Sequence, residues 1–174
     1  NLYASGKSRT AANVREINGF YFDLDKHDGT SAQIKRAILK TYNKILELVN
    51  KKVLPAPTAI TNTGRGLGLY YIFSRSLAVT ENTEKQRKLY SYLYSKIADI
   101  LQYYMQDKNL LEVDRVVVND LARIVRLPGT YNTAAKTYCT LPYIGTDYFG
   151  NVHFYELSDF KGYIKKYESE CIMP

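Results

Sequence analysis

Two aspartates one residue apart, Asp23 and Asp25, close the apolar run Gly19-Phe20-Tyr21-Phe22-Asp23-Leu24-Asp25. Ile17, Phe20, Tyr21 and Phe22 are strand formers, and in a strand residues i and i+2 point to one face, so the two carboxylates share a face. Neighbouring carboxylates repel, and a cation relieves the repulsion. Hard oxygen donors of this kind suit Mg²⁺ or Mn²⁺. The competing reading is a strand that runs into a solvated acidic turn at His27, Asp28 and Gly29.

Two further stretches carry groups suited to phosphate. In Thr63-Gly64-Arg65-Gly66 the glycines let the backbone approach an anion, and the guanidinium between them can fork onto phosphate. A plain glycine-rich hairpin turn with an exposed Arg is the alternative there. In residues 120–132 Arg123 and Arg126 stand three apart, close together on a helix but on opposite faces of a strand. An apolar segment that carries two arginines into the turn Leu127-Pro128-Gly129-Thr130 is out of place as pure core and points to an anionic partner.

These groups need a scaffold. A strand at 16–24 is followed by a turn and a helix to about residue 52, with Thr30 or Ser31 as N-cap. Ile34, Ile38, Thr41 or Tyr42, Ile45, Leu48 and Val49 form its apolar stripe, and Pro55 and Pro57 end it. Residues 58–62 and 67–73 read as a hairpin whose glycine loop lies at the sheet edge. A second helix over about 83–106 places Leu89, Tyr92, Leu93, Ile97, Ile100, Leu101 and Tyr104 inside and Lys85, Arg87, Lys88 and Lys96 on a solvated face. Strands at 139–144 and 152–155 and a short helix at 158–167 complete the chain. The order is that of an α+β fold with a largely antiparallel sheet flanked by helices.

Composition narrows the partners. A chain of 174 residues suits one domain. Its 24 Lys and Arg against 17 Asp and Glu leave a net charge of +7, which favours a polyanionic partner. The 17 tyrosines can stack on bases as well as fill a core. Cys139 and Cys171 are far apart and only His27 and His153 accompany them, so spacing gives no zinc cluster and no zinc is expected. Cys139 reads as a small core residue. The sequence has no twenty-residue apolar run or signal-peptide pattern, which leaves no membrane role and makes the cytoplasm the expected location.

Taken together, the three stretches resemble the archaeo-eukaryotic primases, or primase-polymerases. In that superfamily the first motif is an apolar strand ending in DxD or DxE, as at Asp23 and Asp25. The second is often written SGRGxH, which Thr63-Gly64-Arg65-Gly66-Leu67-Gly68 approaches. The third is an Asp after an apolar residue, followed by an R-x-x-R-x-P-G-[ST] run; Val113-Asp114 and Arg123-Ile124-Val125-Arg126-Leu127-Pro128-Gly129-Thr130 are similar to it. The ending RLPGTYN looks most like primase domains in replication proteins of plasmids and other mobile elements. There a helicase or origin-binding region often follows.

The resemblance implies an RRM-like sheet and one catalytic domain spanning residues 1–174, excised from a longer replication protein. It implies a DNA primase or DNA-directed polymerase acting on a single-stranded DNA template and primer with NTP or dNTP. Asp23, Asp25 and Asp114 would be catalytic, holding two Mg²⁺ or Mn²⁺ ions about 4 Å apart. Asp120 is the second candidate for the third ligand. Thr63, Arg65, Gly66, Arg123 and Arg126 would bind the nucleotide, with Lys136 a further candidate. The sequence departs from the pattern where Gly68 replaces the motif histidine, a phosphate contact; Arg65 or the loop amides are the substitutes. A degenerate primase fold that only binds nucleic acid in a replication initiator is the alternative. A DxD phosphatase, suggested by Asp28-Gly29-Thr30, and a sugar-nucleotide transferase both leave residues 120–132 unexplained.

Overall fold

The apolar run with its two carboxylates is the strand on which the sheet is built. In the computed structural model, which describes residues 2–3, 10–116, 118 and 120–171, the strands are β1 (Leu2–Tyr3), β2 (Val14–Asp25), β3 (Ala59–Asn62), β4 (Gly66–Ala78), β5 (Glu112–Val113), β6 (Tyr131–Asn132), β7 (Thr137–Tyr138) and β8 (Thr140–Ile144). The helices are α1 (Ser31–Asn50), α2 (Glu84–Tyr104) and α3 (Phe160–Cys171). The main sheet runs β1-β2-β4-β3-β8 with β5 also on β2, all antiparallel, and β6 and β7 form a separate hairpin. The expected α+β architecture is present, with a β2 longer than its apolar centre.

Alternation along β2 divides its faces. Phe20, Phe22 and Leu24 are buried with Leu67, Leu69 and Tyr71, their register partners on β4. Onto this face pack α1 through Ile34, Ile38, Ile45 and Leu48, α2 through Leu93, Ile97 and Leu101, and α3 through Phe160 and Ile164. Phe20 is the hub, with ring centroids 4.9–5.2 Å from those of Phe73, Tyr90, Tyr94 and Phe160. Such pairs add about 0.5–1.5 kcal/mol each beyond area burial. The opposite face of β2 carries Tyr21, Asp23 and Asp25.

Several local readings differ. The Thr30 hydroxyl caps α1 in a capping box with Gln33, as the sequence suggests. The helix nevertheless ends before its prolines, where Lys52 turns left-handed (φ 55°) and the amides of Lys52, Val53 and Leu54 bond back to Val49 and Leu48. Thr41, not Tyr42, is the buried residue of its pair, because its Oγ1 accepts the Leu111 N–H at 2.8 Å. On α2, Tyr90 and Tyr94 are buried whereas Tyr92 is 48% exposed. Their phenols explain the shift: Tyr90 donates to the Gly19 carbonyl and Tyr94 to that of Tyr21. Those carbonyls lie on the stretch of β2 edge between its pairings with β1 and β5. Residues 152–155 make isolated bridges at Val152 and Tyr155 in place of a strand. The glycine loop sits at the end of the sheet, between β3 and the interior strand β4.

The β2–β4 register places Gly66 opposite Asp25 and Gly68 opposite Asp23. A Cβ on Gly66 would lie 2.2 Å from the Leu24 carbonyl oxygen, a contact that only backbone movement relieves. Gly66→Ala is therefore expected to cost about 1–3 kcal/mol, lowering the melting temperature by about 2–4 °C per kcal/mol. An unchanged thermal melt would contradict this packing.

Candidate active site

The carboxylate face is completed by the chain that leaves β5. The Asp114 N–H donates to the Asp23 carbonyl at 2.8 Å, which brings Asp114 beside the end of β2. Each outer carboxylate has one oxygen committed to local backbone: Asp25 Oδ1 accepts the Lys26 N–H at 2.7 Å and Asp114 Oδ1 accepts that of Val116 at 2.9 Å. The guanidinium of Arg123 lies between the others, 3.7 Å from Asp23 Oδ2 and 3.6 Å from Asp114 Oδ2. Arg123 thus stands where repulsion demands a cation. Burial is the main reason that the Asp23 carboxyl is held above its ordinary range; Asp25 and Asp114 push the same way and Arg123 opposes them.

Opposite the carboxylates lies the glycine loop. Gly64 is left-handed (φ 86°), and its amide bonds Asn62 Oδ1 at 2.8 Å. The Thr63 hydroxyl turns inward, accepting from the Gly66 N–H at 3.2 Å. Asn132, 3% exposed, donates to the Thr63 carbonyl at 2.8 Å and so ties the end of the 120–132 segment to the loop. Between these walls opens a cleft of about 550 Å³ lined by Asp23, Asp25, Thr63, Arg65, Arg123 and Arg126. The Arg65 Nε is buried without a hydrogen-bond partner among the described residues. A buried guanidinium N–H left unpartnered at a cleft wall is a donor available to an anion.

Residues 120–130 are neither helix nor strand, so the spacing of Arg123 and Arg126 has no regular geometry. Turns carry Arg123 to the carboxylates, while the Arg126 carbonyl accepts the Tyr70 hydroxyl at 3.3 Å. The structure brings together all the sequence candidates but two. Asp120 lines a neighbouring cavity and uses Oδ1 to accept the Ala122 N–H. Lys136, left-handed at φ 50°, lines a third cavity between α1 and the β6–β7 hairpin.

Comparison with known proteins adds the fold. No family model matches the chain. A replication protein of Clostridium perfringens is 28% identical over 135 residues, which are 74% of this chain and 27% of that protein. The chain thus spans about a quarter of the length of the curated relative it matches. Among solved structures, the AEP domain of the cyanophage S-2L primase-polymerase (PrimPol) superposes with a TM-score of 0.54 at 13% identity, covering 94% of this chain and 67% of that one. The fold is that of a primase-polymerase domain.

Within the primase-polymerase fold, Gly68 has a local explanation. A Cβ there would lie 2.7 Å from Thr61 Oγ1 and 2.8 Å from Tyr21 Cε2. Tyr21 fills the space that a larger residue at 68 would take. Sequence reasoning passed over Tyr21; its place two residues before Asp23, on the same face, was the available signal. His27 also lines the cleft, although as a turn residue it looked unremarkable.

Among the described residues no group of three or more Asp, Glu, His or Cys side chains is placed to hold a metal ion. Mg²⁺ nevertheless commonly takes one or two carboxylates and completes its shell with water and substrate phosphate. The Asp23–Asp114 pair, already bridged by a cationic group, with Asp25 on the same face, fits that requirement. The raised Asp23 carboxyl supplies a test. Folding favours its protonated form, so the penalty is absent below the unfolded value of 3.8 and grows as pH rises through the higher folded value. Asp23→Asn is expected to raise the melting temperature at pH 7 by a few degrees, the gain vanishing below about pH 4. Mg²⁺ should stabilise the wild type and not the variant. Destabilisation by Asp23→Asn at pH 7 would overturn this account.

Proposed function

We propose that the domain is a template-dependent nucleotidyltransferase, a DNA primase or polymerase that makes or extends short strands on single-stranded DNA in plasmid or mobile-element replication. The observation that carries the reading is the placing, on a primase-polymerase fold, of Asp23 and Asp114 across the Arg123 guanidinium beside a cleft that Asp23, Asp25 and Arg65 line. The likeness to a replication protein supports the biological setting. A helicase region elsewhere in the full protein fits the same setting.

Asp23, Asp25 and Asp114 would hold Mg²⁺ or Mn²⁺, with Asp114 preferred to Asp120 because Arg123 bridges it to Asp23. Bound there, divalent ions supply an activated 3′-hydroxyl and neutralise the leaving pyrophosphate. Arg65 and Arg126, which line the cleft, would bind the triphosphate, and Arg123 beside the carboxylates would add to transition-state charge stabilisation. Thr63 and Gly66 shape the loop that presents Arg65. Lys136 lies apart from this cleft and is better suited to a contact with the nucleic-acid backbone. Template contacts would be to phosphates and base faces, with little sequence readout.

A second reading, a nucleic-acid-binding initiator module without catalysis, is favoured by one observation: Tyr21 occupies the space beside Gly68, where the motif has its histidine. Incorporation of labelled nucleotides on a single-stranded template with Mg²⁺ or Mn²⁺ separates the two. Template-dependent products are expected from the wild type and none from Asp23→Ala/Asp25→Ala. Absence of product from both proteins, with template binding intact, would overturn the catalytic reading.

A further inference from the structure

The peptide unit that joins Thr63 to Gly64 is gripped at both ends by asparagine side chains. Its carbonyl accepts from Asn132 Nδ2 at 2.8 Å, and its N–H donates to Asn62 Oδ1 at 2.8 Å. In an ordinary two-residue hairpin turn the first carbonyl accepts the N–H of the fourth residue. Here Thr63 Oγ1 accepts the Gly66 N–H at 3.2 Å, and the Thr63 carbonyl goes to Asn132. Asn132 Oδ1 in turn accepts the N–H groups of Ala134 and Ala135 at 3.2 and 3.3 Å. The Asn132 side chain is buried, and a buried amide is costly unless it is bonded in this way. The β6–β7 hairpin also presses on the loop directly, since a Cβ on Gly64 would lie 2.2 Å from Thr137 Cγ2 and 3.0 Å from Ala135 Cβ.

We propose that Asn132 is a positioning residue of the cleft: by holding the 63–64 peptide it aims Arg65 at the anion that Arg126 also meets. The inference rests on the function proposed above and deepens it, by naming what sets the spacing of two phosphate-binding arginines. Arg65 follows the held peptide directly, and its buried Nε has no hydrogen-bond partner among the described residues. Aiming it therefore falls to the backbone beneath it. That backbone lies between two glycines, whose conformational freedom would let the peptide rotate and swing the long side chain away. Arg126 stands on the chain that runs into Asn132, and that chain is fixed in turn by the bonds of Gly129 and Thr130 to the Cys139 backbone. One side chain thus ties together the two backbones that carry the arginines. Asn132 lines the cleft as well, but both its polar atoms are committed to backbone, so it acts through Arg65 rather than on the ligand.

Calorimetric titration of the 174-residue protein with inorganic triphosphate and Mg²⁺ tests this. Arg65→Ala and Asn132→Ala are each expected to weaken binding about tenfold. The double variant should bind no more weakly than Arg65→Ala alone, because one residue acts through the other. A residue that only stabilised the fold would lower the melting temperature and leave the affinity of the folded protein unchanged. Asn62→Ala frees the other end of the same peptide and should repeat the pattern, so it decides the matter if Asn132→Ala does not fold. Wild-type affinity in the folded variant, or losses that add in the double variant, would overturn the proposal. If Arg65→Ala binds as the wild type does, or the wild type does not bind, the phosphate reading of the cleft fails and the positioning role falls with it. That outcome is distinct from an unaffected Asn132→Ala beside a weakened Arg65→Ala.

Discussion

The antiparallel pairing of β2 with β4 is the constraint from which the site follows. It places Asp23 across from Gly68 and Asp25 across from Gly66. Two side chains that want charged partners thus face two residues with no side chain, and bare backbone lies beside the carboxylates. A shift of one residue would turn the carboxylates into the packing against α1, α2 and α3 and send Phe22 and Leu24 into the cleft. Core packing and the position of the chemistry are therefore set by one register.

Charge at the end of β2 is balanced from residues 120–130, which form neither helix nor strand. Burial and two neighbouring carboxylates strain the ionised form of Asp23, and Arg123 is the compensating group. The chain on either side of Arg123 is held by bonds to parts distant in sequence: Asp114 bonding back to β2, Tyr70 bonding the Arg126 carbonyl, and Asn132 bonding the glycine loop. Gly129 and Thr130 are tied in turn to the Cys139 backbone, so the chain is held by groups other than the Arg123 guanidinium, which can change partner without disturbing the sheet.

Much of this is legible in the residues. Strict alternation around Phe20 to Asp25 reveals the strand and its two faces, and the three-to-four spacing in α1 reveals its buried stripe, because both patterns are local. The stripe of α2 is misjudged at Tyr90, Tyr92 and Tyr94 because tyrosines read alike in a periodicity count. What separates them is hydroxyl partners on a strand more than seventy residues away in sequence. The RxxR spacing suggests a helix or a strand, yet turns and a Pro-Gly corner place those arginines, and turns leave no period to read. The link between Asn132 and Thr63, and the contact of Tyr21 with Gly68, are likewise tertiary and have no signature in spacing alone.

The phenols of Tyr90 and Tyr94 carry a consequence of another kind. A strand edge with free carbonyls is a template on which a second polypeptide can add a strand of its own. Here the carbonyls of Gly19 and Tyr21 already accept hydroxyls from the protein's own helix. An incoming strand would have to displace two phenols that are packed into the aromatic core. Self-association through this edge is thereby disfavoured without a further strand to cover it.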